Sequence, residues 1–144
     1  GIKASLEYWS GINGSPISAS QIDSYITAVS ENVTPETVAL QKYIDLYMNG
    51  TEAWVEYRRT GYPTQIIKPG EISCIVDGEP LVFDPLSETK GDIISRVKYP
   101  TNESTLNGAN FKAAVAKLQD GENNYYSKMF WDVRTTSNPH PANK

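Results

Sequence analysis

Cysteine, histidine and long apolar runs are what this sequence has least of, and each scarcity removes a class of protein. Cys74 is the one cysteine and cannot close an internal disulfide; with His140 the one histidine, no zinc site of Cys/His type can be assembled. No segment approaches the roughly 18 to 20 uninterrupted apolar residues that a membrane-spanning helix requires. Basic side chains do not predominate either: 13 stand against 17 acidic ones, a formal net charge of -4. General attraction to phosphate backbones or anionic lipid is therefore not expected, and nucleic acid is not an expected partner. Neither a G-x-x-x-x-G-K loop nor a G-x-G-x-x-G turn after a strand occurs, so no nucleotide or other cofactor is expected. The opening GIKASLEYW has no initiator methionine and no export-signal layout. It reads as the middle of a helix, which leads us to expect a piece of a longer chain.

What is present is helical periodicity. Ile2, Leu6 and Trp9 predict a first helix over 1–12, with Gly11 as its stop signal. Ile22, Tyr25, Ile26 and Val29 share one face of a second helix, for which Ser18 or Ser20 can cap. A third helix starts at Thr34-Pro35-Glu36, where threonine caps, proline lacks an N–H that would go unused and glutamate meets the positive helix end. Its apolar face runs through Leu40, Tyr43, Ile44 and Tyr47; a break is expected at Asn49-Gly50, with Thr51 capping a continuation that carries Trp54 and Val55. Trp9 and Trp54 are expected to pack into a core.

That continuation ends at EYRRTGYP, Glu56 to Pro63. Gly61 suits a left-handed helix end and Pro63 forbids propagation. Arg59, in the last turn, complements the negative helix end by about 0.3 to 1 kcal/mol. Arg58 falls on or beside the buried face, where a guanidinium needs a carboxylate or several carbonyls. We read it as a structural anchor, with an ion pair the preferred form. Residues 62–106 are proline-rich, with short β-like runs at Ser73–Asp77 and Pro80–Asp84, and are expected to form a long irregular connection lying against other elements. Phe111, Ala114, Val115 and Leu118 mark a last helix with Asn107 as its possible cap. Residues 135–144 are polar and proline-broken, and are expected to be a mobile tail behind a region covering 1–134.

Candidates for catalysis are poor. Glu52 and Glu56 are one helical turn apart, a spacing that usually places carboxylates on a solvated surface. His140 lies in the tail, where nothing would hold its tautomer. Cys74 sits in an apolar run, which favours an inert buried thiol. The Asn-x-Ser/Thr triplets at Asn13, Asn32, Asn49 and Asn102 are common enough to arise by chance. No catalytic residue, no metal ligand and no enzymatic activity are expected.

LQKYIDLYMNGTEAWVEYRRTGYP (Leu40 to Pro63), read with GIKASLEYW before it and VKYPTNE, NFKAAVAKL and FWDVR after it, resembles the C-terminal part of SusD/RagB-type outer-membrane lipoproteins. The ordered blocks cover most of the chain. The resemblance implies a mainly α fold, an irregular helical portion of a tetratricopeptide-like α/α superhelix with a long proline-rich loop region and little β structure. It implies a non-catalytic, cell-surface nutrient-binding protein for glycans, working with a SusC-like TonB-dependent transporter. Such a protein sits at the outer membrane, lipid-anchored through an N-terminal region not in this sequence, and this segment would pack on that N-terminal remainder. Arg58, Arg59, Gly61 and Pro63 carry over as structural positions only. Aromatics on irregular segments, Tyr62, Tyr99, Tyr125, Tyr126 and Trp131, are the candidate ligand contacts, because loops supply function where helix faces supply packing. The alternative is a helical protein–protein interaction module with no small ligand.

Overall fold

The computed structural model describes residues 1–132. The mobile-tail expectation for 135–144, and with it His140, lies outside the described residues. The described chain is mainly helical, with one two-stranded sheet, and divides into two compact units. The first comprises residues 1–57 with 62–64; the second comprises 58–61 and the chain from 65 onward.

In the first unit, α1 (Ile2–Ile12) packs on α2 (Ala19–Ser30) and on α3 (Pro35–Asp45). Helix α1 runs through Gly11 rather than stopping there, because its end is closed one turn later: the Asn13 N–H reaches the Trp9 carbonyl, and Gly14 takes the positive φ of 67°. Helix α2 opens with a complete capping box. Ser18 Oγ accepts the Gln21 N–H, and Gln21 Oε1 accepts the Ser18 N–H at 3.0 Å, which satisfies two donors the helix cannot. At α3, Thr34 Oγ1 accepts the Thr37 N–H at 3.1 Å, ahead of Pro35 at the first position.

Helix α4 (Gly50–Thr60) corrects the expected cap. The expected break is there, over residues 46–49, and Gly50 opens the next helix; the capping side chain is Asn49, not Thr51: Asn49 Oδ1 accepts the Glu52 N–H at 3.3 Å while Nδ2 donates to Glu52 Oε2 at 3.1 Å. The two helices are tied by Lys42 and Glu56, 3.2 Å apart. Gly61 ends α4 with φ 75°, and the Tyr62–Pro63 peptide is cis. Glu36 then receives both the N–H and the hydroxyl of Thr64, at 2.8 and 3.2 Å.

The apolar face of α3 is not covered as periodicity led us to expect: Tyr43, Ile44 and Tyr47 are all exposed, Tyr47 by 78%. Two openings result. A cavity of about 360 Å³ is lined by Ile2, Leu6, Val29, Val33, Val38 and Ile44. A groove of about 850 Å³ is lined by Leu6, Trp9, Ile12, Tyr43, Tyr47 and Met48. Trp9 is half-buried and meets Tyr47 edge-on at 6.1 Å, and its indole N–H has no acceptor among the described residues. Trp54 is likewise only half-buried.

The second unit is built from loops. Its β1 (Ile72–Val76) and β2 (Glu79–Val82) form an antiparallel hairpin. Asp77 and Gly78 both have positive φ, the requirement of the tight two-residue hairpin turn that Asp-Gly favours. Cys74 lies on β1 and is exposed, which overturns the buried thiol expected of an apolar run: the residues of this two-stranded hairpin are exposed on both faces, Ser73 alone being half-buried. A 3-10 turn (Ser87–Thr89) and a one-turn helix α5 (Glu103–Leu106) interrupt the expected irregular connection. Helix α6 (Gly108–Val115) half-buries Phe111, Ala114 and Val115, and Leu118 follows in the next turn. Asn107 stands at its N-cap, as expected, but its side chain makes no capping hydrogen bond; its Oδ1 accepts from Asn110 Nδ2 at 2.7 Å instead.

Candidate functional site

The second unit buries polar rather than apolar side chains. Arg58, Thr89, Ser95, Arg96, Asn124, Ser127 and Asp132 are among the chain's most buried residues. Loops that bury backbone without a ladder must satisfy it with side chains, and those of Arg58, Thr89, Arg96 and Asn124 do so. Arg58 donates through Nη1 to the Ser95 carbonyl. The Ser95 and Arg96 N–H groups both reach the Tyr125 carbonyl, at 2.8 and 3.2 Å. Arg96 Nη1 bridges Asn123 Oδ1 at 3.0 Å and the Asn124 carbonyl at 2.9 Å. Ser127 donates its N–H to Asn124 Oδ1 at 2.7 Å and its hydroxyl to Asp120 at 2.9 Å.

This polar bracket carries the aromatics. Tyr99, Tyr125 and Tyr126 are held in one assembly of loops, and each is half-buried. Trp131 is also half-buried and is stacked by Arg58. Tyr62 is not part of that assembly: it belongs to the first unit, beside Tyr43, Leu46 and Pro63.

Each of the four candidate aromatics in the second unit has a cation over its ring. Arg58 lies 4.6 Å from the Trp131 centroid, Lys90 3.6 Å from Tyr126, Arg96 4.7 Å from Tyr99 and Lys98 4.2 Å from Tyr125. Such contacts are favourable, and more so where the cation is withdrawn from water, as Arg58 and Arg96 are. Lys98 is itself held by Glu88 at 2.8 Å, and that hydrogen bond raises its pKa above the ordinary lysine value, against a lesser opposing effect of desolvation. Tyr99 is further braced edge-on by Phe111 at 6.1 Å. The chemistry offered is half-buried aromatic side chains on hydrogen-bonded loops, of the kind that can meet the C–H face of a sugar ring.

Arg58, Gly61 and Pro63 are all buried and Arg59 is exposed, as a helix terminus seated in its surroundings requires. Glu52 and Glu56 are each engaged structurally, with Asn49 and Lys42. Among the described residues no group of three or more His, Cys, Asp or Glu side chains is placed to hold a metal ion. Arg96, Asn123, Lys90 and Lys98 were not legible as site residues. Their contacts span long stretches of irregular chain, and no periodic signal announces them.

Residues 9–132 match the SusD-like family of SusD and RagB outer membrane lipoproteins, and the chain belongs to that family. Among solved structures, one named as a chitin-binding protein superimposes with a TM-score of 0.71 at 26% identity, over 92% of this chain and 26% of its own length. The chain thus spans about a quarter of the protein it resembles. No curated protein matches it. No helix among the described residues is long and apolar enough to cross a membrane.

Proposed function

We propose that this chain is part of a cell-surface lipoprotein that captures glycan without turning it over and passes it to a SusC-like TonB-dependent outer-membrane transporter. The observation that carries the reading is the superposition of nearly the whole chain on a protein named for binding chitin, within a family of outer-membrane lipoproteins. Tyr99, Tyr125, Tyr126 and Trp131 form the contact surface on this segment, and Tyr62 supplies a separate contact in the first unit. Anchoring is through a lipid on an N-terminal region outside this sequence. The structural engagement of both Glu52 and Glu56 supports capture over hydrolysis.

Titration calorimetry against a panel of oligosaccharides, chito-oligosaccharides first, tests this, with chromatography of the ligand afterwards. Saturable heat with intact sugar is the expected result; released product, or no heat with any glycan, would overturn it. A second reading, a helical protein–protein module, draws support from the apolar openings on α1 and α3. It predicts tight transporter binding with no response to sugars.

A further inference from the structure

The carboxamide of Asn123 makes a double contact with the backbone of Tyr99. Oδ1 accepts the Tyr99 N–H at 2.9 Å, and Nδ2 donates to the Tyr99 carbonyl at 3.2 Å. One side chain thereby does what a neighbouring strand residue would do, meeting both polar groups of a loop residue that has no strand beside it. The same Oδ1 accepts Arg96 Nη1 at 3.0 Å, and that guanidinium continues to the Asn124 carbonyl and covers one face of the Tyr99 ring. At the other end, the Ser95 and Arg96 N–H groups grip the Tyr125 carbonyl. Residues 95–99 and 123–125 are therefore clipped twice, with Arg96, only 6% exposed, bridging the clips.

We propose that Arg96 and Asn123 are positioning residues of the glycan surface. They fix the rings of Tyr99 and Tyr125 in one spacing, so that successive units of a stiff saccharide meet both. The inference rests on the reading above that these rings contact glycan. Single ring–sugar contacts are weak, and affinity comes from presenting several without a further ordering cost. Supporting hydrogen bonds of this kind decide whether a site holds within about 0.5 Å of its productive geometry. The signature of positioning is therefore a loss that grows with ligand length.

The test compares the affinities of Asn123→Ala and Arg96→Lys for chitobiose and for a longer chito-oligosaccharide, with thermal melts of each protein and binding measured well below its melting temperature. Arg96→Lys keeps the charge and removes the Nη1 group that bridges the Asn123 side-chain oxygen and the Asn124 carbonyl. The expected result is about a tenfold loss for the longer ligand, the value of one or two hydrogen bonds, with little change for the disaccharide. Lowered melting temperatures with wild-type affinity at both lengths would overturn the inference. Tyr99→Ala and Tyr125→Ala separate the two levels. If they weaken binding and the Asn123 and Arg96 variants do not, positioning fails alone; if the tyrosine variants bind normally, the contact surface and the inference fail together. Should Asn123→Ala not fold, Arg96→Lys carries the same comparison.

Discussion

The guanidinium carbon of Arg58 stands 4.6 Å from the centroid of the Trp131 ring, and the same side chain donates through Nη1 to the Ser95 carbonyl. Two loops far apart in sequence are thus seated on the last turn of one helix. Arg58 is 4% exposed, so its removal uncovers a buried carbonyl and a ring face together.

Arg58→Ala is expected to lower stability by about 2 to 4 kcal/mol, the sum of an unsatisfied acceptor and a desolvated cation–ring contact. Arg59→Ala, at the exposed neighbouring position, is expected to cost no more than about 1 kcal/mol, the value of a cation in the last turn of a helix. Denaturant melts of the two variants check the contrast, and equal losses would contradict the anchoring role.

Gly61 terminates α4 at φ 75° and is buried. A side chain there meets the left-handed penalty of about 1 to 2 kcal/mol, so Gly61→Ala is expected to destabilise by at least that much. The comparison is Gly11→Ala, inside α1 with open space where a Cβ would stand, which is expected to be neutral or stabilising by up to about 1 kcal/mol. Thermal melts of both read the difference.

The capping residues of the first unit are expected to behave alike. Ser18→Ala and Thr34→Ala each remove an acceptor for an N–H in the first turn of α2 or α3, at about 1 kcal/mol apiece. Amide hydrogen exchange at Gln21 and Thr37 is expected to speed up in the respective variant. Unchanged protection there would show that the caps do not hold these ends.

Lys98 gives a pH prediction. Its pKa is raised, chiefly by the hydrogen bond to Glu88, so any stabilisation linked to its charge is complete below the ordinary lysine value and is lost as pH rises through the raised one. The packing of Lys98 on Tyr125 is therefore expected to be constant across neutral pH and to fade only on the alkaline side of the lysine range. Methylene proton shifts of Lys98, moved upfield by the ring, report it. A change between pH 6 and 8, of the order of a histidine titration, would contradict the assignment.

The first unit was the legible part of the sequence. Apolar spacing, Ser18, Thr34 and Pro35 are local signals read within one or two turns, and they placed α1 to α3 closely. The errors there were also local: Asn49 has the capping chemistry that was assigned to Thr51. Periodicity identified the apolar face of α3 but not that Tyr43 and Tyr47 would be exposed, because spacing says which side is apolar and not what covers it. The second unit was harder to read, since its order comes from side chains bonded to backbone across tens of residues, as Arg96 is to Asn124. Tyr99, Tyr125 and Tyr126 stand out in the sequence only by their place in irregular chain; the cations over their rings and the bracket beneath them leave no local signal. The Asp77-Gly78 turn, by contrast, is a local hairpin signal.

The most direct measurement is a titration of the protein with a chito-oligosaccharide followed by the aromatic ring signals of its tyrosines and tryptophans. Saturable shifts centred on Tyr99, Tyr125, Tyr126 and Trp131, with the sugar recovered intact, are the predicted result. Saturable binding that leaves those four rings unmoved would contradict the account.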